Sequence, residues 1–204
     1  MQLITACATL AVAAIAAAAG AQDRMPPIPA DRLSDAQKKA IEEFKAARSA
    51  DISGPFVPLL RSPEVMTRAR AMGDYLRFRS VLPPKLSEFL ILLTAGRWTQ
   101  NYEWNAHAPL ARQAGVADSV IAAIADGRRP DGMTAEQEIL YTLVDELTRT
   151  HAVSDATYAK AVAALGEQGV VDALGITGYY TMLAMVLNTA RTPLPPGAKP
   201  AFPR

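Results

Sequence analysis

Glu88, Glu103 and His107 are the residues whose types and spacing could do chemistry. His107 is one of only two histidines in the chain, and it follows Glu103 by four positions. On a helix that step puts both side chains on one face, within hydrogen-bonding reach. Gln100 and Leu110 fall on the same face. Glu88 stands alone in the preceding apolar run, LSEFLILLTA. Two carboxylates around an imidazole suit acid–base work, because differing surroundings push the ionisation of like groups apart. Imidazole titrates near neutrality, so His107 is the expected general acid or base. Glu103 would orient it or share its proton, and Glu88 would complete the relay or hold the tautomer. The competing assignments are a surface Glu–His salt bridge and, for Glu88, a cap or bridge between helices. The apolar surroundings favour burial, and burial of such groups is costly unless they are paired.

The neighbours of this trio supply candidate substrate contacts. Arg97 lies at the turn between the two segments, where a guanidinium could grip a substrate carboxylate bidentately. The alternative is a solvated turn residue. Gln100, Tyr102 and Trp104 are candidate pocket walls, with plain core packing the alternative for the two aromatics. No metal site is expected: His151 is far along the chain and there is no HExxH. His151 follows the last turn of its helix, where a cation is favourable.

The elements that must position these residues all read as helices. Ser34 suits an N-cap for AQKKAIEEFKAARS, which carries an apolar stripe of Ala40, Ile41, Phe44 and Ala47. FVPLLRSP reads as a turn-rich bridge, and Pro63 suits the first turn of a helix to about residue 80. Pro83 and Pro84 open a helix over 85–95 that is apolar around nearly its whole circumference and therefore central. Gly96 is expected to break or kink it before a helix over 99–113, which Gly115 stops. Asp118 is the expected cap of SVIAAIADG. Thr134 with Gln137 opens EQEILYTLVDELTRT, and Ser154 caps ATYAKAVAALGEQ. Residues 170–189 form a further long apolar helix, interrupted by Asp172, Gly175, Gly178, two tyrosines and Asn188. Those interruptions favour a core or subunit-interface helix over a membrane span. The tail TPLPPGAKPAFPR, with five prolines, is expected to be an extended, loosely held arm. The fold class is all-α.

Composition narrows the function classes. The chain has 204 residues, half of them hydrophobic and 6% aromatic, which suits one domain of closely packed helices. With 21 basic and 20 acidic side chains the net charge is +1, so no nucleic-acid partner is expected. Residues 1–21 carry no charge and end in Ala19-Gly20-Ala21, a small-x-small cleavage pattern. They read as a signal peptide, with export to the periplasm and no stable membrane insertion afterwards. Cys7, the only cysteine, would leave with it, and the mature chain would lack thiol chemistry altogether. The expected organisation is signal 1–21, a proline-rich lead-in 22–33, a helical domain 34–190 and the arm 191–204.

The runs LPPKLSEFLILLTAGRW and YEWNAHAPLARQAG resemble the core of the carboxymuconolactone decarboxylase family, whose superfamily includes alkylhydroperoxidase D. SPEV, VSDATYAKAVAALGEQGVVDALGITGYY and MLAMVLN extend the likeness across residues 56–188. The resemblance implies an all-helical fold associating into trimers or hexamers, with the active site on this hairpin. In the peroxidase branch a Cys-x-x-Cys-x-x-x-His motif works with an upstream glutamate. Here that histidine falls on His107 and the glutamate on Glu88, while the cysteines fall on Gln100 and Glu103. Without thiols the peroxide-reducing mechanism cannot operate. What remains resembles the decarboxylase branch, which acts without a cofactor on carboxylated lactones. The expected function is a cofactor-independent lyase or proton-transfer enzyme for a small carboxylated or lactone-type compound. The alternatives are an exported, non-catalytic binder of small organic acids and, disfavoured by the missing cysteines, a peroxidase-like member of the family.

Overall fold

The computed structural model describes residues 22–203. The expected signal peptide lies outside them. Every regular element among the described residues is helical. After one 3-10 turn at Ala30–Arg32, these are in chain order α1 (Asp35–Arg48), α2 (Phe56–Leu59), α3 (Pro63–Phe78), α4 (Pro84–Arg97), α5 (Asn101–Gln113), α6 (Asp118–Ala125), α7 (Ala135–Thr150) and α8 (Asp155–Ala190).

Local signals set most of the helix starts. Ser34 and Thr134 each close a capping box with Gln37 and Gln137, satisfying backbone N–H groups that a helix start leaves unpaired. Ser154 accepts from the Thr157 N–H to start α8. Pro63 and Pro84 occupy first-turn positions, where a missing N–H costs nothing. Asp118 is not a cap: Ala117 takes that position without a side-chain hydrogen bond, and Asp118 sits in the first turn. There its carboxylate favours the helix dipole and pairs with Arg112 at 2.7 Å.

The centre is α4, where Phe89, Leu90, Ile91 and Leu92 are all but inaccessible. It packs on α5, α6, α7 and α8, so apolar side chains are needed on every side of it. Gly96 does not break this helix. It lies inside α4, where a Cβ would stand 3.0 Å from Ile124 Cγ2 and 3.3 Å from the Ile124 carbonyl oxygen. Its role is the close approach of α6, and the reversal into α5 comes later, through Thr99 at φ 45°. The two helices expected in the C-terminal third run on as α8 with a sharp bend at Gly166, whose φ 70° and ψ 165° suit a residue without a Cβ. Helix α8 is apolar enough to cross a membrane by length and composition. It packs instead on α2, α3, α4 and α7. Its buried Asp172 accepts from the Val81 N–H at 2.9 Å and from the Tyr75 hydroxyl at 3.1 Å, tying α8 to the α3–α4 loop.

The C-terminal arm is held firmly. Asn101 Oδ1 accepts from the N–H groups of Ala201 (2.7 Å) and Phe202 (2.8 Å), and its Nδ2 donates to the Phe202 carbonyl at 3.0 Å. The Phe202 ring is buried edge-on against Trp104, with centroids 5.0 Å apart. Prolines prevent helix formation here, yet they leave this one aromatic free to dock. The lead-in runs over the surface as expected and is pinned where the Arg24 N–H donates to the Ala190 carbonyl at 2.7 Å.

Candidate active site

Helices α4 and α5 meet as a hairpin with Glu88, Glu103 and His107 between them. His107 Nδ1 lies 2.7 Å from Glu88 Oε2, and Nε2 lies 3.6 Å from Glu103 Oε2. A carboxylate accepts, so the Glu88 contact assigns a proton to Nδ1. The separation on the Glu103 side is too long for a good hydrogen bond. Glu103 and His107 are each 4% exposed. The two carboxylates address opposite edges of one imidazole, so they do not converge on a common point where a cation would sit. Among the described residues no cluster of His, Cys, Asp and Glu is arranged to hold a metal.

Electrostatics divide the two carboxylates. Burial pushes the Glu103 carboxyl above the ordinary carboxylate range, and the positive charges of His107 and Arg77 only partly offset it. The carboxylic acid form is thereby favoured. Its Oε1 is buried and has no hydrogen-bond partner, an expensive state for a polar atom. Glu88 instead reaches the far side of the hairpin, where it lines an open cavity of about 610 Å³ together with Arg77, Lys85 and Gln113.

Glu103 and His107 form part of the wall of a separate cavity of about 200 Å³. Helices α1 and α2 contribute Phe44, Arg48 and Phe56, α3 contributes Arg77, α5 adds Tyr102, and α8 adds Tyr179 and Tyr180. Tyr180 meets His107 edge-on at 5.1 Å and Tyr179 at 5.3 Å. Burial pushes the Tyr179 phenol up to about 12 and raises the Tyr180 phenol well above its ordinary value. Both therefore stay neutral near pH 7 and keep their O–H protons. Tyr102 is also raised, by burial and then by Glu103, while a hydrogen bond to Ser53 opposes the shift.

The remaining expected contacts lie elsewhere. Arg97 points to α7, donating to the Val144 carbonyl at 2.9 Å and pairing with Asp145 at 3.2 Å. It is a tether between helices and is absent from the cavity wall. Gln100 is buried as the N-cap of α5, accepting from the Tyr102 N–H at 2.6 Å and donating to Asn188 at 2.8 Å. Trp104 faces the core against Phe202. Of the four candidate substrate contacts only Tyr102 reaches the cavity. Among the wall residues not anticipated from sequence are Arg48, Arg77, Tyr179 and Tyr180. The spacing of Tyr179 and Tyr180 on an apolar helix was visible, but nothing local aims them at His107.

No protein-family model matches the sequence, and no curated protein is similar enough to match. Solved structures do match. An uncharacterised peroxidase-related protein from Ralstonia eutropha, described as an alkylhydroperoxidase D core, superposes with a TM-score of 0.64 at 17% identity, over 81% of this chain and 88% of that one. An uncharacterised peroxidase-related protein from a Silicibacter species gives 0.64 at 16% identity, over 83% of this chain and 91% of that one. A protein of unknown function from Agrobacterium tumefaciens, whose description links it to alkylhydroperoxidase D and antioxidant defence, gives 0.59 at 16%, over 67% and 94%. At such identities the likeness speaks to architecture alone: the chain has the all-helical alkylhydroperoxidase D-like fold.

Proposed function

We propose that this protein is a cofactor-independent proton-transfer enzyme of the carboxy-lyase type, acting on a small carboxylated or lactone-type compound. The observation that carries the reading is His107 held between two unlike carboxylates. One is buried, favours its acid form and lines a small cavity. The other lies beside open solvent space.

In a decarboxylation the bond between the substrate and its carboxylate carbon breaks. CO2 departs, and the electron pair stays on the substrate, delocalised to an adjacent carbonyl oxygen as an enolate. The neutral Tyr179 and Tyr180 hydroxyls and the Glu103 acid are donors for that developing charge. A proton from Glu103 then quenches the carbanion carbon, and His107 Nε2 stands beside Glu103 to share in its reprotonation. Glu88 holds the other ring nitrogen and opens to solvent on the far side, where a replacement proton enters. One proton is consumed and one CO2 released per turnover. Peroxide reduction through thiols does not fit, since the positions of the redox cysteines are Gln100 and Glu103.

The same reading includes a homotrimer or homohexamer, supported by the exposed apolar side chains of Phe78, Val81 and Val171. The deciding experiment is turnover on a panel of carboxylated lactones and ring-cleavage acids, followed by mass, with His107→Ala in parallel. Loss of CO2 with wild type alone supports the lyase. Mass-neutral conversion lost in the variant makes it an isomerase using the same site. Binding without conversion makes it a carrier of small acids.

A further inference from the structure

We infer that Arg77 anchors the carboxylate of the substrate, so that the cavity selects a small ring-shaped organic acid. This rests on the cavity beside Glu103 and His107 being the functional site. Arg77 lies in the last turn of α3 and borders both the small cavity and the larger one on the Glu88 side. It is partly buried, yet among the described residues it makes no ion pair and no hydrogen bond; its guanidinium lies over the Phe78 ring at 5.1 Å, and its charge acts on Glu103, Tyr179 and Tyr180.

The other candidate cations are engaged. Arg48 pairs with Asp74 at 2.8 Å, and its guanidinium lies over the rings of Phe44 and Phe56 at 5.2 and 4.7 Å. Asp74 is shared with Arg70 at 2.7 Å, so this cluster itself holds two cations to one anion. Arg97 is taken up by α7. Inside the cavity the one carboxyl, Glu103, favours its neutral form and cannot serve as a full counter-ion. A partly buried guanidinium with no partner is a site for a planar anion, and carboxylate matches its fork. The rings of Phe44, Phe56, Tyr179 and Tyr180 form apolar walls. A volume of about 200 Å³ equals roughly seven waters, which suits a single ring with its substituents.

The test is isothermal titration of the purified protein with benzoate and 2-furoate against benzamide and 2-furamide. Wild type is expected to bind the acids roughly tenfold to a hundredfold more tightly than the amides, the range for a charge-assisted hydrogen bond. Arg77→Gln should abolish that preference while leaving amide affinity in place. Arg77→Lys should retain part of it, and Arg79→Gln, at the exposed residue just after the same helix, should retain all of it. Circular dichroism melts confirm that each variant is folded. Equal affinities in wild type, no binding of either acid, or a preference that survives Arg77→Gln would overturn the proposal. His107→Ala separates the two readings. Lost turnover with an intact acid preference upholds both, unaltered turnover in that variant counts against the acid–base reading alone, and turnover without any acid preference counts against Arg77 alone.

Discussion

Glu88 and His107, nineteen positions apart and on different helices, are joined by a 2.7 Å contact between Oε2 and Nδ1. That contact fixes the orientation of the imidazole and leaves Nε2 turned to Glu103. Replacing His107 with alanine should reduce turnover about 10²–10⁴-fold, the usual share of a positioned acid or base. Glu88→Gln should reduce it less, because the amide keeps the shape but no longer favours a proton on Nδ1. A pH–rate profile checks this, with Glu88→Gln expected to displace the limb that reports the imidazole. Profiles that superpose would remove Glu88 from the relay.

Glu103 should cost stability in a pH-dependent manner. Its carboxyl ionises at about 4.3 in an unfolded chain and at a higher pH in the fold, chiefly because of burial. Between those two values the native state holds more protons than the unfolded state, so stability falls as pH rises through that window. Glu103→Met should therefore melt above wild type at pH 8, and the gap should close near pH 4. An unsatisfied buried group costs about 1–3 kcal/mol, and each kcal/mol is worth roughly 2–4 °C in a chain of this size. Calorimetry at the two pH values checks the sign.

Gly73 lies where α3 packs against Tyr179 of α8. A Cβ at this position would stand 2.7 Å from Tyr179 Cζ and closer still to its hydroxyl. Gly73→Ala should push the Tyr179 ring, and with it Tyr180, at a cost of about 1–3 kcal/mol in urea unfolding. Ligand affinity should fall along with stability. An alanine variant with wild-type stability and affinity would mean that the two helices separate at no cost.

The arm behind α5 should matter to the site as well as to stability. Phe202→Ala removes a buried ring and should cost roughly 3–5 kcal/mol. Asn101→Ala removes three hydrogen bonds from the arm. Hydrogen exchange should rise in the first turn of α5, next to Glu103, in both variants. Protection unchanged in that turn would show that the arm is only a surface fastening.

Sequence alone determined the features whose causes lie within a few residues. The capping boxes at Ser34 and Thr134, the Ser154 cap and the first-turn prolines fixed helix starts, because each satisfies or removes a neighbouring N–H. The apolar circumference of α4 marked it as central, since a helix with no polar face can be stable only when surrounded. The i, i+4 step placed Glu103 and His107 on one face for the same local reason. Tertiary structure decided the rest, because it depends on which faces meet. Gly96 reads as a breaker until α6 is found against it, and the five-proline tail reads as loose until Phe202 finds Trp104. Arg97 and Arg77 are equivalent as letters. Packing gives one of them Asp145 and leaves the other at the edge of a cavity with no ion pair or hydrogen bond among the described residues.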